Sequence, residues 1–162
     1  MKKILLLLLV VTSIQFSATA QSPVIKEFRA LLQSAKTNFK DDIGEKIEED
    51  TANNLAYYKT KKADFSVISS FIIHQLTNDG NTYVINYNVK DADANTLVLI
   101  MHIVDLYIDE LNAMIKTGNY TGRDYNTDDG MSVSEIKDLN GNHILNYKSN
   151  KEVQRIVIYS IK

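Results

Sequence analysis

The chain has 162 residues, with 18 Lys and Arg against 20 Asp and Glu, and no cysteine. That length predicts one domain with a modest core. The composition excludes disulfide staples and thiol chemistry, and the mild negative charge argues against nucleic acid or an anionic membrane as the main partner.

Residues 1–20 read as a secretory signal. Lys2 and Lys3 give a positive start, Ile4 to Val11 an apolar stretch, and Ser17-Ala18-Thr19-Ala20 a small-residue cleavage site. The apolar stretch falls short of the roughly 18–20 residues that cross a bilayer. No cysteine lies near the cut to carry a lipid anchor. Cleavage after Ala20 predicts an exported protein, periplasmic or extracellular, with residues 21–162 as a single domain. Two lysines leave with the leader, so the net charge moves from −2 to −4.

Ser22-Pro23 is a helix-start signal, and Val24, Phe28, Leu31, Leu32, Ala35 and Phe39 recur at helical spacing. They predict a helix over 23–38. Residues 43–62 are ambiguous: Ile43 and Ile47 bracket a short strand, and Leu55 to Thr60 reads as a second. Phe65 to Gln75 predicts a strand, or a strand with a bulge at Ser69-Ser70. The turn Asn78-Asp79-Gly80-Asn81 joins it to the clearest strand, where Tyr83, Ile85, Tyr87 and Val89 alternate with polar neighbours.

A second helix is predicted over 91–117. Asp91 or Asp93 caps it, Gly118 ends it, and Leu97, Met101, Val104, Ile108, Leu111 and Ile115 form its main stripe. Its apolar character exceeds one stripe. This predicts either a central core element or a face kept for a partner, a second copy of the chain included. Residues 118–130 read as a loop. Strands follow at 132–137, 143–148 and 153–161, the first two joined by an Asn140-Gly141 turn. The expected fold is α+β, two helices on one face of a mainly antiparallel sheet in the order α-βββ-α-βββ. No internal repeat is visible.

Four patterns bear on chemistry. Asp124, Asn126, Asp128 and Glu135 stand at positions 1, 3, 5 and 12 of a calcium-loop spacing, with Asp129 where the loop needs glycine. The missing flanking helices argue against an EF-hand, and a solvated connection is the plainer reading. His102 and Asp105 share one side of the second helix and suit a base with its orienting acid. An exposed helix edge explains them as well. Tyr57 and Tyr58 must face opposite ways, which leaves one of them beside Lys59, Lys61 and Lys62 as a surface for an acidic partner. A lysine-guarded edge strand gives the same pattern. Asp50-Thr51-Ala52 resembles an O-glycosylation motif of exported bacterial proteins, and Asn119-Tyr120-Thr121 is an N-glycosylation sequon.

No catalytic signature or phosphate loop occurs. The sequence therefore predicts a non-enzymatic binding module for a protein or small molecule, with no cofactor. The alternatives are a small hydrolase using His102 and Asp105, or a calcium-stabilised accessory domain.

Overall fold

The computed structural model describes residues 22–61 and 68–161. The leader reading of residues 1–20, Lys62 and the start of the strand expected from Phe65 lie outside the described residues. Two helices, α1 (Pro23–Ser34) and α2 (Ala94–Lys116), pack on one face of an antiparallel sheet of eight strands. The strands are β1 (Ile43–Asp50), β2 (Leu55–Thr60), β3 (Ile68–Gln75), β4 (Gly80–Asn88), β5 (Tyr120–Asn126), β6 (Ser132–Asp138), β7 (His143–Ser149) and β8 (Val153–Tyr159).

The sheet runs β1-β2-β3-β4-β8-β7-β6-β5. Each helix thus introduces a four-stranded meander, and the two meanders meet where β4 pairs with β8, Ile85 opposite Ile156. The α-ββββ topology thus occurs twice along the chain. Neither that repeat nor β5 was expected from sequence, and residues 120–126 form a strand, not a loop. β1 extends to Asp50 and pairs with β2 through two irregular registers. No bulge falls at Ser69-Ser70, since β3 pairs with β4 without a break from Ile68 to Gln75.

The core lies between sheet and helices. α1 contributes Phe28 and Leu31, its 3-10 continuation Ala35, and the following connection Phe39. α2 buries Ile100, Val104, Tyr107 and Leu111. The buried stripe is turned from the one expected: Met101 and Ile108 are exposed, while Tyr107 stacks on Phe28 at 4.5 Å between ring centres. A helix apolar on most sides has no single stripe to read, and the aromatic contact selects among them. Each fully buried large side chain contributes roughly 1.5–3 kcal/mol. Arg29 grips Glu110 with two hydrogen bonds of 2.6 and 2.8 Å and fixes α1 against α2.

Phe39 holds the left-handed conformation, φ 55°, although it is aromatic and wholly buried. Its ring lies 5.6 Å from that of Tyr83, and its N–H donates to Ser34 O. Burial of the ring offsets the backbone strain, of order 1–3 kcal/mol. Among the described residues no helix is long and apolar enough to cross a membrane.

Candidate functional site

Neither helix lies on the other face of the sheet, and strand alternation decides what that face displays. One unbroken row of paired residues crosses seven strands: Lys59, Phe71, Val84, Val157, Asn146, Glu135 and Arg123. A neighbouring row holds Tyr57, Ile73, Thr82 and Tyr159, and another Asn86, Arg155, Lys148, Val133 and Tyr125. The face is therefore divided. Its β1–β4 part sets Tyr57, Phe71 and Ile73 among polar neighbours that include Lys59 and Glu48, with the Tyr57 and Phe71 rings 6.3 Å apart. Its β5–β8 part is basic: Arg123, Lys137, Lys148 and Arg155 stand on the side where Glu135 is the one carboxylate among these strands.

Glu135 is 7% exposed and sits at the centre of the basic part. One carboxylate oxygen lies 2.9 Å from Lys137 Nζ, and the other 3.1 Å from His143 Nδ1. The His143 ring leans on Tyr159 at 5.5 Å, and Asn146 Nδ2 donates to the Tyr159 hydroxyl at 3.0 Å. Burial, with the negative fields of Tyr125 and Glu135, pushes the Tyr159 phenol above its ordinary range. Arg155 Nε donates to Asn86 Oδ1 at 2.6 Å rather than to an acid, and stands directly across from Lys148. Like charges opposite each other in a sheet repel, so this arrangement costs stability unless an anion meets it.

Two of the surface residues named from sequence, Tyr57 and Lys59, lie on this face. Lys59 Nζ is 3.4 Å from Glu45. Tyr58 points the other way and packs against the core, and Lys61 is exposed just past β2, its N–H donating to Asp42 O. His102 and Asp105 are both exposed on the outer side of α2. The three histidines occupy three different surfaces: His74, bonded to Asn81 at 2.7 Å, lies on the helix side of the sheet, His102 on α2, and His143 on the helix-free face.

The calcium-loop residues are not brought together. Asp124 pairs with Ser134 on the helix side of the sheet, whereas Glu135, opposite Arg123, projects from the other side. Asn126 ends β5, and Asp128 lies in the turn beyond it. Among the described residues no three His, Asp or Glu side chains converge as metal ligands would. Sequence reasoning missed Arg123, Lys137, Lys148 and Arg155 as a group. Placing Arg123 opposite Glu135 required recognising β5 as a strand.

Two of the hollows that border the sheet bear on binding. One, of about 490 Å³, lies under the helices among Val24, Leu31, Ile85, Ile103 and the rings of Tyr83, Tyr87 and Tyr107. Burial raises both the Tyr87 and Tyr107 phenols, and these two hydroxyls bond each other. The other, of about 370 Å³, opens at the end of the sheet between the β3–β4 and β6–β7 turns. Comparison of the chain with protein-family models, with curated proteins and with solved structures finds no match.

Proposed function

We propose that this chain is an exported, non-enzymatic binding module that engages an acidic protein surface through the helix-free face of its sheet. The observation that carries this reading is the concentration of Arg123, Lys137, Lys148 and Arg155 on that face around one buried carboxylate, in a chain whose net charge is negative. Such asymmetry steers an anionic partner toward one side of the molecule. The adjoining Tyr57, Phe71 and Ile73 supply apolar area that a small anion would leave unused, which favours a macromolecular partner. Export rests on the leader signals at residues 1–20.

The test uses residues 21–162 as bait against the envelope fraction and medium of the native cell, beside an Arg123→Glu/Lys148→Glu variant and a His102→Ala control. The expected result is an acidic protein retained by wild type and control, released by salt, and lost by the double variant. Equal retention by the double variant, or loss with His102→Ala alone, overturns the reading.

A further inference from the structure

We propose that the hollow at the end of the sheet binds a neutral carbohydrate. Its wall is made of Gln75, Asn81, Thr82, His143, Tyr159 and Ser160, completed by residues of both turns. No carboxylate, ammonium or guanidinium borders it, so a charged ligand entering would find no counter-charge. The Thr82, Tyr159 and Ser160 hydroxyls and the Gln75 amide instead offer donors and acceptors, which is what a ligand dense in hydroxyl groups requires. The volume of about 370 Å³ lies within the usual range for small-molecule sites, roughly 300–1,000 Å³.

The wall is held in place before any ligand arrives. The Asn81 side chain bonds Asn38 O at 2.7 Å and His74 at 2.7 Å, while its backbone N–H donates to Asn38 Oδ1 at 2.9 Å. Tyr159 is fixed by Asn146 on one side and the His143 ring on the other. That leaves an aromatic surface at a set angle, against which the C–H face of a sugar ring stacks with little ordering cost. Thr82 and Ser160 place hydroxyls beside it. Both turns that flank the hollow also lift a leucine into water, Leu76 at 43% and Leu139 at 66% exposure. Exposed apolar side chains on the flanking turns suit a glycan that continues past the first ring. The hollow adjoins the basic patch, where His143 meets Glu135, but it uses none of Arg123, Lys137, Lys148 or Arg155 and stands whether or not the protein partner proposed above exists.

The experiment is a ¹⁵N-resolved NMR titration of residues 21–162 with maltotriose, cellotriose, chitotriose and, as a charged control, a trimer of galacturonic acid. The expected result is fast-exchange shifts confined to residues 75–82, 139–143 and 159–160 with at least one neutral trisaccharide. Thr82→Val/Ser160→Ala weakens it about tenfold, and Tyr159→Phe, which keeps the ring, retains most of it. Thermal melting checks that each variant is folded. The proposal is overturned by no response to any neutral sugar, by shifts that map to another surface, or by stronger binding of the acidic trimer.

Discussion

The two α-ββββ halves share a topology but have been finished differently, and the differences fall where function and stability separate. The first half begins on α1, twelve residues long and without a side-chain cap at Ser22. The second begins on α2, twenty-three residues long and capped by Asp93, whose carboxylate accepts from Thr96 N at 2.8 Å. α1 reaches its sheet through a strained connection at Asn38 and Phe39, whereas α2 passes into β5 across three residues. On the helix-free side the first half mixes Tyr57, Phe71 and Ile73 with polar residues of both signs, and the second is basic. One topology occurs twice, and its two outer sheet faces carry different chemistry.

The largest expected effect comes from removing the helix anchors. Phe28→Ala should cost about 3–5 kcal/mol and Ile100→Ala about 2–5 kcal/mol in urea unfolding, in a single transition for both. Separate transitions for the two variants would show that the halves are independent units and break the comparison. Next come the edge glycines, Gly44 in β1 and Gly122 in β5. A Cβ on Gly44 would stand 2.9 Å from the Lys59 carbonyl oxygen, so Gly44→Ala should cost about 1–3 kcal/mol. The same change at Gly122 meets only the tip of Ile115 and should stay within about 0.5 kcal/mol of wild type. Equal costs would mean the two edges are packed alike.

The helix starts give a smaller contrast. Asp93→Ala should lower the melting midpoint, and Ser22→Ala should leave it unchanged. The bond from Thr96 holds the Asp93 carboxyl below its ordinary value of 3.8. The cap therefore stabilises fully above that value and is lost as pH falls through the depressed one. The midpoint difference between wild type and Asp93→Ala should shrink on acidification, and a difference independent of pH would remove the capping explanation.

Much of the fold was legible in the residues. The alternation of Tyr83, Ile85 and Tyr87 placed β4 under the helices, and the turn signals at 78–81 and 139–142 fixed two hairpins. What escaped lies at the edges. β1 and β5 are wet on both sides for most of their length, so they show no period of two, and Gly122 and Asp124 read as loop. The basic group escaped with β5, because its members are spread over four strands and meet only through register. The repeat escaped because the halves match in topology while their outward residues differ. The step between β6 and β7, where Ile144 and Leu145 both turn inward, was equally silent and is what leaves His143 beside Glu135.

The seam between β4 and β8 has a consequence for assembly. One linker joins the two halves, so a chain whose 89–93 segment swung outward could trade its second half with a neighbour and re-form the same β4–β8 pairing. Val89 and Lys90 both donate to the Glu152 carbonyl, at 3.0 and 3.2 Å, and this clasp keeps the linker folded back. Together with the Arg29–Glu110 fork, it is what any exchange between chains would first have to break.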